Sequence, residues 1–196
     1  MNSLGLAKHP NARACLGTRI AAIVVALLSP FFASVSHAQQ PPTDLQVKAA
    51  FLYKFGAFVT WTSPAPNDVF AICVLGRDPF GQTLDSTLKG GTIDGSSLVA
   101  RRIESSQDAS KCRIVFVSSS EESRLRPIVA ELSKLPVLTV SDIPHFSDRG
   151  GMIEFVLENG RVRFDVNLAS AEKSGMTLSS QLLKVASAVK RNEGRD

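Results

Sequence analysis

The dipeptide Asn159-Gly160, set between two runs of alternating apolar and polar residues, constrains this chain more than any other stretch. Asn-Gly suits a two-residue hairpin turn because both central residues must take positive φ. Met152-Ile-Glu-Phe-Val-Leu157 and Arg161-Val-Arg-Phe-Asp-Val-Asn167 are therefore expected to pair antiparallel, with Leu157 opposite Val162, Phe155 opposite Phe164 and Ile153 opposite Val166. Each such apolar pair contributes ~0.2 to 1 kcal/mol, and their common face needs a cover. The same register sets Glu154 against Asp165 on the other face. This like-charge pair is destabilising unless Arg161, Arg163 or another basic group lies diagonally between the acids. The conflict makes that face, with Glu154, Arg163, Asp165 and Asn167, a candidate partner-binding surface. The alternative is a solvated sheet face on which arginines screen the acids.

The first 38 residues have the layout of an export signal. Lys8, Arg13 and Arg19 precede an apolar run from Ile20 to Val35, and Ser36-His37-Ala38 forms a small-residue cleavage site before Gln39. A run of 16 residues interrupted by Pro30 is short for a membrane span, which needs about 20. Residues 1–38 are read as a signal peptide cleaved after Ala38, and residues 39–196 as a single domain that is not an integral membrane protein once cleaved. Removing the leader takes three of the 22 basic residues and none of the 18 acidic ones, leaving 19 against 18 and a net charge of +1. A balanced chain with scattered basic residues argues against a nucleic-acid partner.

Cys73 and Cys112 remain after the leader departs with Cys15. In an exported chain an even count favours a disulfide, and both lie in apparent strands; two buried free thiols are the other reading. Closing a loop of about 40 residues would contribute roughly 4 kcal/mol. His145 is the one histidine left, and no Cys or His sits at ligand spacing, so no metal and no cofactor are expected.

Along the domain, Thr43-Asp-Leu-Gln46 has capping-box form, and Val47, Ala50, Phe51, Phe55 and Phe58 follow at helical spacing. This predicts a helix from about Asp44 to Val59. Leu45, Leu52, Tyr53 and Trp61 fall outside that stripe, so the helix is either sandwiched or offers Phe55, Phe58 and Trp61 to a partner. Ser63 to Asn67 breaks it. Strands are predicted over Val69–Leu75, Leu98–Ile103, Arg113–Val117 and Val137–Val140. Helices are predicted after Pro79 and after Ser118-Ser-Ser120, the latter carrying Leu125, Ile128, Val129 and Leu132. A brief helix over Leu168–Ser174 precedes a closing helix, capped by Thr177 or Ser179, with a Leu178, Leu182, Val185, Ala186, Val189 stripe. The pattern predicts an α/β fold: a three-layer αβα sandwich with a mixed, partly parallel sheet and a C-terminal hairpin plus helix. In such sheets ligands sit beyond the carboxyl ends of strands, which makes Arg77, Asp78, Ser118 and Asp142 candidate ligand-binding residues.

Catalysis finds little support. A nucleophile needs a base and an orienting group beside it, yet His145 is alone and the serines at 118–120 lack a GxSxG elbow. Glu154 and Asp165 could divide into acid and base, but nearby arginines would keep both ionised. The chain is read as having no catalytic residues and no enzymatic activity.

Lys48-Ala-Ala-Phe-Leu-Tyr-Lys-Phe-Gly-Ala-Phe-Val-Thr-Trp61, Cys73-Val-Leu-Gly-Arg-Asp-Pro-Phe-Gly81, Gly150-Gly-Met-Ile-Glu-Phe155, Arg163-Phe-Asp-Val-Asn-Leu168 and Leu182-Leu-Lys-Val-Ala186 together resemble the YfiR family over nearly all of the domain. The resemblance implies a periplasmic repressor that binds the periplasmic sensor domain of an inner-membrane diguanylate cyclase, lowering cyclic-di-GMP and biofilm formation. It also implies capture of the repressor by an outer-membrane lipoprotein under envelope stress, and a disulfide between Cys73 and Cys112. A second cysteine pair found in some members has no counterpart here. A homodimer is a further assembly to test, and the rival function is a periplasmic small-molecule sensor.

Overall fold

The computed structural model describes residues 41–62 and 69–191. The leader assigned to residues 1–38, the polar residues 39–40 and the break assigned to residues 63–67 lie outside the described residues. The first described element is helix α1 (Asp44–Phe58), opened by the expected capping box. Thr43 Oγ1 accepts from the Gln46 amide, and the Gln46 side chain accepts from the Thr43 amide. After α1 come β1 (Val59–Trp61), β2 (Val69–Leu75), α2 (Gln82–Leu88), β3 (Thr92–Ile93), β4 (Ser96–Ile103) and β5 (Ile114–Val117). The second half holds α3 (Leu125–Leu132), β6 (Leu138–Ser141), β7 (Ile153–Glu158), β8 (Arg161–Asn167), α4 (Leu168–Lys173), β9 (Met176–Leu178), α5 (Ser180–Val185) and β10 (Ala188–Lys190). Two 3-10 turns, Ser106–Lys111 and Ser119–Arg124, flank β5.

Eight strands form one mixed sheet in the order β10-β8-β7-β6-β5-β2-β4-β3. The β4-β2-β5-β6-β7 stretch is parallel, while β7 with β8 and β3 with β4 are antiparallel. The period of two along each strand divides the core into two layers. Phe70, Ile72 and Val74 of β2, with Ile114 and Phe116 of β5, face the layer that holds Leu52 and Phe55 of α1 and Leu84 and Leu88 of α2. Ala71, Cys73 and Leu75, with Val115 and Val117, face Leu125, Ile128, Val129 and Leu132 of α3. Helices on both faces of the sheet give the three-layer α/β sandwich.

The hairpin has the expected register at every pair from Ile153–Val166 to Glu158–Arg161. Asn159 and Gly160 carry φ of 50° and 70°, the pair of positive values a type I′ turn requires. Its apolar face is covered by α1 through an aromatic cluster. Phe164 meets Phe55 and Phe51 edge-on at centroid distances of 5.0 and 5.3 Å, and Phe155 stacks on Phe55 at 5.9 Å. Gly56 lets α1 approach β2 and β3 closely, because a side chain there would strike Ile93 and the Phe70 ring.

Three expectations need correction. The fully buried residues of α1 are Ala49, Leu52, Phe55 and Gly56; of the expected stripe Val47, Ala50, Phe51, Phe55 and Phe58, Phe55 is buried, Val47, Phe51 and Phe58 pack half-buried against the core, and Ala50 is exposed. Nearly every face of this helix is apolar, so spacing alone could not pick the inward one. The closing helix is shorter than its apolar stripe suggests: α5 ends at Val185, and Ala188–Lys190 adds instead to the sheet as a parallel edge strand on β8. Thr177, offered as a helix cap, lies in β9, which pairs antiparallel with β1 beside α1; Ser179 is the cap.

Cys73 and Cys112 form a disulfide with Cα atoms 6.0 Å apart, within the ordinary range. Both are buried on the α3 side of the sheet. It ties β2 to the segment entering β5 across 39 residues of sequence. The Cys73→Ser/Cys112→Ser variant should lose about 4 kcal/mol of stability, read as a lower urea midpoint with a steeper slope, because the unfolded chain is no longer cross-linked and exposes more surface.

Candidate functional site

The polar face of the hairpin is solvated near the turn, where Glu158, Arg161 and Arg163 are exposed, but at its Glu154 end a loop covers it. Ser141 ends β6 and is fully buried, its hydroxyl donating to the Val117 carbonyl at 2.7 Å and accepting from the Ile143 amide at 3.0 Å. The chain then runs over 142–150, anchored by the buried Ile143 and Phe146. The ring of Phe146 fills the space where a side chain at Gly151 would stand. His145 takes φ of 61°, an uncommon value outside glycine, and turns its backbone amide inward.

Glu154 receives that loop. Its carboxylate accepts from the His145 amide at 2.9 Å, the Ser147 amide at 3.0 Å and the Ser147 hydroxyl at 2.8 Å. From β10, Lys190 Nζ donates to Ser147 Oγ at 2.9 Å and to the Asp148 carboxylate. Asp148 also faces His145 Nδ1 at 3.2 Å. Hydrogen bonds from Lys190 first, and from His145 second, hold the Asp148 carboxyl below the usual range. Asn167 closes the cluster: its Nδ2 donates to the Ser147 carbonyl at 2.8 Å, while its Oδ1 caps α4 at the Ser170 amide, 3.0 Å away.

Asp165 lies opposite Glu154 as the register requires. Burial first, and the Glu154 charge second, push its carboxyl above the ordinary value. The basic group that moderates the pair is Lys190 on the neighbouring strand rather than an arginine. Arg163 points away to Ser187 Oγ at 3.4 Å and to the Glu158 carboxylate at 3.9 Å. The expectation that nearby arginines keep both acids ionised is therefore corrected. Ser147, although bonded to both a carboxylate and a lysine, is fully buried and cannot reach a substrate. The cluster works chemically as a fastener that holds the 142–150 loop to β7, β8 and β10.

Of the other partner-surface candidates, Phe55 is fully buried in the aromatic cluster and offers nothing to a partner. Phe58 and Trp61 are half-buried. Trp61 packs edge-on against Phe70 at 5.4 Å, beneath the Arg113 guanidinium at 5.3 Å, and its buried Nε1 has no acceptor among the described residues. Arg163 remains exposed, beside the hairpin end where Leu157 is 64% exposed.

Of the four ligand-site candidates, Asp78, Ser118 and Asp142 have their side chains engaged internally, while Arg77 is exposed and bound through its backbone amide. Arg77, Asp78 and Ser118 do meet at the carboxyl ends of β2 and β5, where the Arg77 amide donates to Ser120 Oγ at 2.9 Å. The crevice between these strand ends is filled: the Ser120 hydroxyl and Glu121 carboxylate leave no room for even a methyl group at Gly76. Asp78 accepts from the Phe80 amide at 2.7 Å and Arg102 Nε at 2.8 Å, and the buried Ser118 hydroxyl caps the 3-10 turn that follows it. Asp142 stands apart in an ion pair with Lys48 at 2.6 Å. Sequence reasoning missed Ser147, Asp148 and Lys190, which carry no periodic or motif signal. Lys190, immediately past the last residue of the expected apolar stripe, was the one available hint.

Residues 45–187 match the family model described as YfiR/HmsC-like. Among solved structures, the chain is similar to a conserved domain protein from Vibrio cholerae O1 biovar El Tor, with a TM-score of 0.53 and 13% identity over 74% of this chain. A second similar structure is the ABC domain in complex with L-Trp from Streptococcus pneumoniae, with a TM-score of 0.49 and 13% identity over 74% of this chain. The matched region spans 60% of each of those chains. At such identity the first likeness speaks to the fold.

Removing the carboxylate in Glu154→Ala strands the buried Ser147 amide and hydroxyl and the half-buried His145 amide. It should cost about 3 kcal/mol and abolish hydrogen-exchange protection at the His145 and Ser147 amides before global unfolding. Asp165 behaves oppositely. Its native pKa lies above the unfolded value, so the native state gains from the proton below that unfolded value, near ~3.9, and loses the gain as pH rises through the native pKa. Asp165→Asn should accordingly be more stable than the parent at pH 7, with the advantage vanishing in acid; melting curves across pH 3 to 8 would show it.

Proposed function

This chain belongs to the YfiR/HmsC-like family, and from that premise we propose that it is a non-catalytic periplasmic regulator of an inner-membrane diguanylate cyclase. It binds the cyclase's periplasmic sensor domain and represses it, keeping cyclic-di-GMP and biofilm formation low. The observation that carries this reading is the family match across 45–187, most of the chain. Two structural features support it. The Cys73–Cys112 disulfide suits an oxidising compartment such as the periplasm. Among the described residues no helix is long and apolar enough to cross a membrane, in keeping with a partner that meets the cyclase from outside it.

Repression by contact needs only a difference in affinity for two states of the cyclase. A coupling of about 1 to 3 kcal/mol is typical of such linkage. The proposed contact surface is the exposed hairpin end with Leu157 and Arg163, since Phe55 is spent in the core and Glu154 and Asn167 on the loop. An outer-membrane lipoprotein that captures the regulator would then relieve repression by competing for it.

Deleting the gene should raise cellular cyclic-di-GMP, and the native chain, recovered from the periplasm with Gln39 as its first residue, should restore the low level and co-purify a diguanylate cyclase. Leu157→Asp with Arg163→Glu should fold normally yet fail to restore it. An unchanged cyclic-di-GMP level on deletion would refute the regulatory reading; full restoration by the double variant would refute the hairpin surface alone.

A further inference from the structure

A cleft of about 320 Å³ opens between α3, the Arg149–Gly150 turn and α4, on the side of the sheet away from α1. That volume is at the lower end of the range for small-molecule sites. Its walls carry three cations, Arg126 from α3, Arg149 from the turn and Lys173 from α4, and no carboxylate lines it. Arg126 and Lys173 form no ion pair among the described residues, and Arg149 has only the exposed Glu122, at 3.9 Å. Three positive side chains lining one concavity, with the exposed Glu122 as their one nearby carboxylate among the ion pairs of the described residues, repel one another, an arrangement an anion would relieve.

The floor supplies what a bound organic molecule needs. Val129 and Met152 give it an apolar surface. Thr139, 2% exposed, lines it as well; its Oγ1 accepts from the Met152 amide at 3.1 Å. Among the described residues that hydroxyl donates no hydrogen bond, and Thr139 is part of the cleft lining. Gly150, at φ of 95°, forms the rim where a side chain would press on Val129.

We propose that this cleft binds a small organic dianion of the phosphate-monoester type. Arg126, Arg149 and Lys173 would hold the head group, Thr139 would donate to it, and Val129 and Met152 would contact a compact apolar body. Two guanidinium forks and an ammonium match a doubly charged tetrahedral head better than a single carboxylate. The site is distinct from the hairpin end and does not depend on the cyclase reading.

The test is calorimetric titration of the purified chain with phenyl phosphate, inorganic phosphate and benzoate, together with Arg126→Ala and Lys173→Ala variants. Both residues are exposed, so the fold should survive, and Arg161→Ala at the hairpin turn serves as a charge-matched control. Phenyl phosphate should bind more tightly than inorganic phosphate, and benzoate weakest. Each cleft variant should weaken phenyl phosphate about fivefold or more, and added salt should weaken it further. The control should leave it unchanged. Absence of phenyl phosphate binding at millimolar concentration, or equal weakening by Arg161→Ala, would overturn the site. Benzoate binding as tightly as phenyl phosphate would overturn the dianion assignment.

Discussion

The register of the hairpin from Ile153 to Asn167 governs what both faces of the sheet can hold. The turn at Asn159-Gly160 sets Phe155 and Phe164 side by side toward α1, and Glu154 and Asp165 together toward the 142–150 loop. Because side chains alternate with a period of two, slipping one strand by one residue would bring acids into the aromatic cluster and a phenyl ring against Ser147. Neither α1 nor the loop could then dock. The packing of α1, the path of the loop and the docking of β10 through Lys190 all follow from one two-residue turn.

Placing Glu154 beside Asp165 is a cost that magnitudes put in proportion. A like-charge pair across a strand opposes the fold by an amount comparable to a favourable pair, at most about 1 kcal/mol. Hydrogen bonds to a charged acceptor contribute about 1.5 to 3 kcal/mol each, and Glu154 accepts three. Asp165 has no such set of donors, and it is the partner whose proton affinity rises. The asymmetry within the pair thus comes from the loop, which satisfies one acid and leaves the other to Lys190 and the Ala188 amide.

Local signals proved legible where a short stretch specifies its own geometry. The capping box at Thr43, the hairpin turn and the apolar strands β2 and β5 could all be read from neighbouring residues. What resisted reading depends on residues distant in sequence. The inward face of α1 is chosen by the hairpin, since Leu52 and Phe51 are equally apolar and only packing separates them. β1 with β9, and β10 with β8, are three-residue pairings that no propensity distinguishes from loop. The strand-end crevice at Arg77 and Ser118 exists as topology, but Glu121, a side chain no rule would place there, fills it.

The two layers over the sheet differ in how much they can bury, and this difference accounts for the polar features of the α3 side. Opposite it, α1 alone spans 15 residues and brings phenyl rings across the hairpin and sheet. On the α3 side the cover is one helix of eight residues and two 3-10 turns of six. Short elements remove little apolar area from water, so the strands beneath the first turn carry the small Ala71 and a covalent link between Cys73 and Cys112 in place of large side chains. Farther along the sheet lie β6 and β7. There the sheet presents Thr139, Ser141 and Glu154, each met by a backbone amide rather than by apolar packing. A layer completed by polar bonds rather than close-packed side chains leaves room at its edge, and the cationic cleft between α3 and α4 lies at that edge.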